Sequence, residues 1–550
     1  MSARERVPPP RERMPSADLV LALVLFALLT AVSWRRWASL HGDLNREWST
    51  PARLAAGERL YRDVAFYYGP LAPYAEAAAM RLFGARVGTA IGFGIFTAAA
   101  TLAALLLATR RLLPPLARCA VACVAVGVLA FAPENGAFIA CYSQSALMAV
   151  GLSWLSLWLA ASGRSSAAAV AGGMALLAKP ESAPALLGPL LLLESRARLR
   201  FVAIGGGLAL AGYAIALAGI PLEELIRYGP LRHLRMPPEF AELYRRVSGL
   251  HPSLLPRALA GAVAGAALLG GWLLLSRALG VKSAWAAAGG VLLLAGAVML
   301  RSSQEPLLTT AVRGLPLLCL FCLSLALPLS LRGERLPLAA AIVGLAFAWR
   351  TFLWTVPVFS YAPLAALSLL PAAGWLALRA AAAQPTALLV ALLPFLASPL
   401  LAFPRLYEFY RSPRYEVVAP RGTWLPPGLE GALFLELVRH LEKVGVKDRS
   451  LVALPEASAV NFLMGVRSPL RVEQLLPGLF DDGADADAVA RLEALRPERV
   501  VWVKRPFTEY GGAEPGRDYA KKLAAAIARD YRFELRLRGG GQEATVLRRR

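Results

Sequence analysis

The part of the sequence richest in reactive side chains is residues 39–86, which follow the first apolar run. Four acidic residues stand there among aromatic residues and glycines: Asp43, Glu47, Glu58 and Asp63. A carboxylate next to a bilayer has to be solvated, paired or used in a reaction. If this stretch begins as a helix, Asp43 and Glu47 share one face. They then either take part in chemistry or cap and solvate a juxtamembrane helix beside Arg46.

The composition assigns these residues to a membrane protein. Of the 550 residues, 57% are hydrophobic, and the mean hydropathy of +0.52 fits no soluble class. The net charge is +22, but residues 404–550 hold 25 basic and 20 acidic side chains and so carry little of it. The basic excess belongs to the apolar part, where Lys and Arg mark the cytoplasmic ends of membrane helices. We expect membrane lipid as a partner and no nucleic acid.

Apolar runs long enough to cross a bilayer recur along residues 18–403 and predict about 11–13 transmembrane helices. The predicted spans are 18–34, 87–108, 116–132, 145–162, 166–178, 182–194, 200–220, 257–276, 282–300, 307–330, 336–354, 361–379 and 384–403. The two spans that flank Lys179-Pro180-Glu181 are short for full crossings, and an alternative count fuses them or makes them re-entrant. Short connectors rich in arginine alternate with longer loops, which predicts a cytoplasmic N-terminal tail over residues 1–17. The segments 39–86 and 221–256 and the tail from 404 then lie outside.

The tail, residues 404–550, has the pattern of a small α/β domain. Helical periodicity covers 429–445 and 517–530, and strands are predicted at Leu-Val-Ala-Leu-Pro (451–455), at Arg-Val-Val-Trp-Val (499–503) and in a final hairpin. The fold class predicted is therefore a polytopic α-helical membrane protein with a C-terminal extracytoplasmic α/β domain.

Several short motifs occur in a characteristic order. Asp43 is followed by Arg-Leu-Ala-Ala-Gly-Glu-Arg-Leu-Tyr-Arg-Asp (53–63), Tyr-Tyr-Gly-Pro-Leu (67–71), Leu-Phe-Gly (82–84), Tyr-Ser-Gln-Ser (142–145), Ala-Lys-Pro-Glu (178–181) and the tail segment 455–469. This arrangement resembles the polytopic GT-C glycosyltransferases, and among them the bacterial relatives of protein O-mannosyltransferases and lipid A aminoarabinose transferases. The resemblance is strongest over residues 17–200.

The resemblance implies transfer of a sugar from a polyprenyl-phosphate donor, with inversion at the anomeric carbon. An acceptor hydroxyl is a poor nucleophile, so a loop carboxylate acts as general base. The resemblance places Asp43 in this role. Many relatives have an acidic doublet here, whereas this chain has Leu44 after Asp43, so Glu47 and Asp63 remain rivals. Asp63 is explained equally well as the organiser of a turn.

The leaving group is a lipid phosphate, which a nearby cation would stabilise. The candidate cations stand near the outer ends of predicted spans: Lys179, Arg301, Arg313 and Arg350. Each either contacts substrate or has a structural role, because an arginine can snorkel to the interface and Lys179 can pair with Glu181. The resemblance also implies substrate binding by Tyr67, Tyr142 and Glu181.

The cysteines and histidines show no pattern of a metal site. Cys319 and Cys322 stand in one apolar helix without a second pair of ligands, and the four histidines are scattered. No cofactor is expected beyond the polyprenyl-phosphate sugar that serves as donor, and the resemblance leaves a divalent metal open.

The function predicted is a glycosyltransferase of a bacterial plasma membrane that acts on an extracytoplasmic glycan, lipid or protein. A transporter or lipid-linked sugar flippase is the main alternative, and a non-catalytic scaffold of polysaccharide assembly is a third. The sequence has no internal repeat of broken helices, and its acidic residues concentrate in one loop, which argues against a transporter.

Overall fold

The chain folds into a bundle of apolar helices followed by a small α/β unit. The computed structural model describes residues 17–40, 42, 44–133, 137–141, 143–232, 238, 241–242, 252–278, 305–348, 362–381, 385–505, 507, 511–539 and 541–550.

The helices before the tail are mostly apolar in composition, and α2 and α10 are polar exceptions. They are α1 (Ala17–Val32), α2 (Leu44–Ala55), α3 (Leu71–Phe83), α4 (Val87–Thr109), α5 (Pro115–Val124), α6 (Gln144–Ala161), α7 (Ser165–Ala178), α8 (Leu187–Leu192), α9 (Ser195–Leu217), α10 (Leu222–Tyr228), α11 (Leu255–Ala278), α12 (Glu305–Leu331), α13 (Leu336–Ala348), α14 (Ala362–Ala380) and α15 (Pro385–Arg411).

Within the described residues, four helical stretches are long and apolar enough to cross a membrane: Val87–Thr109, Gln144–Ala161, Ser195–Leu217 and Pro363–Ala380. They coincide with predicted spans and confirm the membrane class. The span predicted at 182–194 is wrong, because that stretch is a 3₁₀ turn (Pro180–Leu186) followed by the six-residue α8. Its prolines break the α-helical hydrogen-bond ladder. The span predicted at 282–300 lies outside the described residues.

Small residues allow the helices of the bundle to approach closely. A Cβ added to Gly151 of α6 would lie 3.0 Å from the Cα of Thr101 in α4. The hydroxyl of Thr97 donates to the Oε1 of Gln144 across 2.9 Å and ties the same two helices together. Close packing of small residues, supplemented by a few polar contacts, is what holds helices together in a bilayer.

The tail contains a four-stranded sheet, and the strands predicted from its sequence are confirmed. The elements are β1 (Val417–Ala419), β2 (Gly422–Trp424), α16 (Glu430–Val444), β3 (Leu451–Leu454), α17 (Ser458–Met464), α18 (Asp482–Leu495), β4 (Arg499–Lys504), α19 (Lys521–Asp530), β5 (Tyr531–Gly539) and β6 (Gln542–Arg549). The strand order is β3-β4-β6-β5, with β3 and β4 parallel and the other pairs antiparallel. The helix predicted at 517–530 begins only at Lys521.

Aromatic packing joins α2 to the tail. The Trp48 ring of α2 meets the Trp424 ring of β2 edge-on, with centroids 4.7 Å apart, and also contacts Phe462 of α17 at 5.4 Å. Trp37 follows α1 in the chain, and its ring centroid lies 6.0 Å from that of Trp424. Trp424 and Trp37 are fully buried, so this cluster fixes the start of the first loop against the C-terminal unit.

Candidate functional site

The segment that carries Asp43 is held on both sides by the tail. Asp43 and His41 lie outside the described residues, but Gly42 between them is described. The amide of Gly42 donates to the carbonyl of Glu456 at 3.3 Å, and the carbonyl of Gly42 accepts from Nε2 of Gln474 at 3.2 Å. Gly42 has φ +85°, a conformation that glycine adopts without strain. The peptide before Asp43 is therefore fixed by residues more than 400 positions away.

Asn45 makes the second connection between α2 and the tail. Its Nδ2 donates to the carbonyls of Gly42 (2.6 Å) and Glu456 (2.8 Å), and its Oδ1 accepts from the amide of Ala459 at 2.6 Å. The side chain is fully buried. A buried amide side chain that makes three hydrogen bonds favours a single arrangement of its neighbours. The sequence analysis missed Asn45, whose partners Glu456 and Ala459 belong to the tail segment 455–469.

Glu47 lies one turn after Asp43 in sequence and is buried in the structure. One oxygen, Oε2, accepts from the backbone amide of Gln144 at 3.1 Å, at the first residue of α6. The other, Oε1, lies 3.4 Å from Nη2 of Arg46. A carboxylate at a helix N-terminus is stabilised by the unpaired amides and the helix dipole. Glu47 therefore anchors α2 to the N-terminus of α6.

Glu76 of α3 is a second buried carboxyl close to Glu47. Only 3% of the residue is exposed, and among the described residues no hydrogen bond or ion pair reaches it. Burial, and after it the negative charge of Glu47, raise the pKa of Glu76 well above its ordinary value. Burial and the neighbouring negative charge therefore favour the protonated form of Glu76. Sequence reasoning missed Glu76, although it is the one acidic residue in the alanine-rich stretch Tyr-Ala-Glu-Ala-Ala-Ala.

Two cations approach the ring of Tyr68. The guanidinium carbon of Arg46 lies 4.9 Å from the ring centroid, and Nζ of Lys179 lies at the same distance. Arg46 also lies 5.6 Å from the centroid of the Phe66 ring, and its Nη1 lies 3.5 Å from Oε1 of Gln474. In a buried site, cation–π contacts stabilise charges that have lost part of their solvation by water.

Gly69 determines how close Tyr68 comes to Lys179. A Cβ at position 69 would lie 2.7 Å from the carbonyl oxygen of Ala178, and nearer still to that of Leu177. The loop can therefore rest on the last carbonyls of α7 only with glycine at this position. The helix ends at Ala178, and Lys179 follows in an extended conformation.

Lys179 pairs with Glu181, as one of the two sequence interpretations expected. Their Nζ–Oε2 distance is 3.2 Å, and Lys179 is buried whereas the Glu181 side chain is 54% exposed. Burial raises the pKa of the Cys141 thiol, Glu47 raises it further and Lys179 lowers it. Burial is the main cause of the raised pKa of this thiol.

Tyr67 faces the tail. Burial raises the pKa of its phenol to about 12, while the nearby Arg232 and Arg46 lower it. Arg232 is itself buried and donates to the carbonyls of Gly478 (2.8 Å) and Leu479 (3.1 Å). Tyr67 therefore lies where the loop contacts the residues that follow the segment 455–469.

Asp63 occupies a turn. It accepts from the backbone amide of Arg59 at 2.8 Å and pairs with Arg62 at 2.8 Å. Burial raises the pKa of Asp63, but these hydrogen bonds outweigh it and hold the pKa below the ordinary value. This is the loop-organising geometry that the sequence left open as an alternative for Asp63.

The remaining predicted residues lie outside the residues or side chains that the structure describes. Tyr142, Arg301 and Arg350 lie outside the described residues, and Arg313 stands in α12 without a described side chain. In the part of the chain that is described, no three His, Cys, Asp or Glu residues are grouped as metal ligands. Cys319 and Cys322 are buried free thiols.

No protein-family model matches this chain, and no curated protein matches it. Solved structures to which this chain is similar include ArnT from Cupriavidus metallidurans bound to undecaprenyl phosphate, at 13% identity and a TM-score of 0.46. The apo structure of the same protein gives 12% identity and the same TM-score. Each alignment covers 96% of this chain and 97% of the other. The contacts described above, and not this likeness, support the function proposed below.

Proposed function

We propose that this chain is a membrane glycosyltransferase of the GT-C type, using a sugar linked to polyprenyl phosphate as donor. One observation carries the proposal. The cations of Arg46 and Lys179 both lie 4.9 Å from the centroid of the Tyr68 ring, and Arg46 pairs with the buried carboxylate of Glu47 directly after the segment that holds Asp43. Acidic and basic groups gathered in a buried site at the ends of membrane helices are what transfer from a lipid phosphate requires.

Asp43 is the proposed general base. It takes the proton of the acceptor hydroxyl while the acceptor oxygen bonds to the anomeric carbon. The bond from that carbon to the phosphate oxygen breaks, and polyprenyl phosphate leaves with the electron pair. Attack from the face opposite the leaving group inverts the anomeric carbon. Glu47 and Asn45 are positioning residues, because each holds the start of α2 through hydrogen bonds.

Lys179 is the proposed cation for the lipid phosphate, with Arg46 beside it. A buried ammonium that already has a carboxylate partner in Glu181 is oriented before substrate arrives, so it stabilises the developing charge without reorganisation. The proposal keeps Arg313 and Arg350 as further phosphate ligands, and Tyr67, Tyr142 and Glu181 as substrate-binding residues.

The site is proposed to face the outside of a bacterial plasma membrane. The arginine-rich connectors are then cytoplasmic, and the loops 39–86 and 221–256 and the tail 404–550 are outside. The acceptor is an extracytoplasmic glycan, lipid or protein. The hydrogen bonds of Glu456 and Gln474 to Gly42 support a tail that stabilises the catalytic loop.

The test is release of polyprenyl phosphate by the purified protein in nanodiscs, supplied with polyprenyl-phosphate sugars and an envelope extract as acceptor. We expect Asp43→Asn to abolish release while expression and thermal melting stay unchanged. Glu223→Gln, at an exposed carboxylate of α10, is the matched control and should retain activity. Full activity of the Asn variant would contradict the assignment of the base, and absence of turnover with every donor would contradict the function.

A further inference from the structure

An apolar groove of about 380 Å³ lies between α1 and α4. The residues that line it include the buried Ala22 and Phe26 of α1, the buried Leu102 and Leu106 of α4, and Leu23, which is 66% exposed. We call it the α1–α4 groove. Because it lies between two apolar helices and reaches the surface, it is open to the acyl chains of a bilayer.

The groove runs along the helix axes. It extends from Leu19 to Phe26 of α1, which at a rise of 1.5 Å per residue is about 10 Å. The hydrocarbon core of a bilayer is about 30 Å thick, so this length fits within one leaflet. Acyl chains run across the leaflet in the same direction as the helices. The groove therefore has the direction and the position of a single acyl chain.

Two arginines stand at one end of the groove. Arg110 follows Leu106 by one helical turn, on the same face of α4, and it keeps helical backbone angles (φ −56°, ψ −31°). Arg111 comes next, is exposed, and donates from Nη1 to the carbonyl of Ala161 at the end of α6. An acyl chain in the groove would therefore place its headgroup beside two guanidinium groups.

The charge at this end of the groove is positive. From Arg110 to the end of α5 the chain has three arginines and no acidic residue. One of them, Arg118, is neutralised by Asp18, the residue before Leu19, since Nε of Arg118 lies 3.5 Å from Oδ1 of Asp18. Both of these residues are buried. Asp18 is the one carboxylate of α1, so the cations Arg110 and Arg111 remain in excess here.

This end of the bundle is remote from the cluster around Tyr68. The opposite end of α4 meets the tail, where the amide of Val87 donates to the carbonyl of Arg421 at 2.9 Å. The 23 residues of α4 separate its ends by about 34 Å, which is about the thickness of the hydrocarbon core. A ligand of Arg110 and Arg111 is therefore distinct from the donor lipid, whose phosphate is assigned to Lys179.

We propose that the α1–α4 groove binds one acyl chain of an anionic phospholipid, whose phosphate is bound by Arg110 and Arg111. Guanidinium forks match the oxygens of a phosphate, and basic side chains next to a membrane helix attract anionic lipids. The lipid bridges α1 and α4 and is not consumed. In the proposed orientation it belongs to the cytoplasmic leaflet, but its contacts do not depend on the transfer reaction.

The experiment is native mass spectrometry of the full chain in detergent, titrated with dioleoyl phosphatidylglycerol or with dioleoyl phosphatidylcholine. We expect the anionic lipid to bind about tenfold more tightly or better. Arg110→Gln combined with Arg111→Gln should abolish this preference. Arg332→Gln combined with Arg335→Gln is the matched control, because both arginines are exposed in the connector before α13. The control should keep the preference of the wild type.

A second variant tests the groove without changing any charge. Ala103→Phe places a ring among the groove residues and should eliminate the tightest-bound lipid. Ala203→Phe, at an exposed position of α9, is its control and should bind as the wild type does. Thermal melting of each variant in the same detergent verifies that it is folded.

Four results would overturn the proposal. They are equal binding of the two lipids, a preference that survives in the Arg110 and Arg111 variant, binding unchanged by Ala103→Phe, and a dimer that Ala103→Phe dissociates. The last result would assign the groove to a second copy of the chain. Asp43→Asn should bind phosphatidylglycerol as the wild type does, so failure of the proposed transfer reaction and failure of the lipid site are separate outcomes.

Discussion

Arg46 and Lys179 lie over the same aromatic ring, each 4.9 Å from the centroid of Tyr68, and therefore within about 10 Å of each other. The residues come from different parts of the chain, one from α2 and one from the end of α7. Two like charges so close repel each other unless carboxylates or a bound anion compensate them. Glu47 and Glu181 supply part of the compensation, and the proposed lipid phosphate would supply more.

Lys179→Met should reduce turnover by about ten- to a hundredfold, because it removes a charge-assisted contact to the leaving phosphate. The measurement is initial rate of polyprenyl phosphate release against donor concentration. Glu181→Gln is the comparison, because it breaks the ion pair and leaves the cation in place. If Lys179 serves only as half of an ion pair, the two variants should be equally impaired. If it contacts the phosphate, loss of Lys179 should cost far more than loss of Glu181.

Gly69→Ala should displace Tyr68 from Lys179, since the new Cβ would collide with the carbonyls of Leu177 and Ala178. Overpacking of this kind costs about 1–3 kcal/mol of unfolding free energy. Thermal melting in detergent and the rate of sugar transfer measure the two effects. Gly88→Ala is the matched control, because nothing lies within 4 Å of a Cβ at that position. Equal behaviour of the two alanine variants would contradict the close approach.

Glu76→Gln should make stability less dependent on pH. The folded-state pKa of Glu76 lies well above its ordinary value of 4.5, so the folded state binds the proton more tightly than the unfolded state does. The contribution of Glu76 to the stability of the wild type therefore falls as pH rises above about 4.5, until the raised pKa is passed. The amide side chain of Gln does not ionise, so the variant does not lose stability in this way as pH rises.

Melting temperatures of the wild type and Glu76→Gln across this pH range test the sign. The variant should gain relative to the wild type as pH rises, and the gap should close toward pH 4. A gap that widens at low pH would contradict the raised pKa. Glu223→Gln, at an exposed carboxylate, should follow the wild-type curve.

Asn45→Ala should lower transfer activity even where the protein stays folded, because it releases Gly42 and the start of α2 from the tail. Each buried partner left without its hydrogen bond costs about 1–3 kcal/mol. Asn461→Ala is the comparison, since Asn461 is equally buried but donates to Leu451 within the tail. When both variants are assayed well below their melting temperatures, only Asn45→Ala should lose activity. Equal loss in both would reduce the role of Asn45 to stability.

Local sequence patterns predicted many of the membrane helices and the strands of the tail. Long apolar runs determine membrane helices wherever the chain contains no helix breaker, and α4, α6 and α9 followed their runs closely. Alternating and β-branched residues predicted β3 and β4 for a similar reason. The prediction failed at 182–194, where Pro180, Pro184 and Pro189 outweigh an apolar composition that would otherwise favour a helix.

The sequence by itself determined the membrane class, the acidic first loop and the strands of the tail, because hydropathy and periodicity act between near neighbours. Only the tertiary structure decided that Glu76 is buried and feels the charge of Glu47, that Arg46 and Lys179 share Tyr68, and that Asn45 bonds to Glu456. These pairs are separated by up to 411 positions. Their proximity follows from the packing of α2 against α3 and the tail, and of α3 against α6 and α7, which no local pattern encodes.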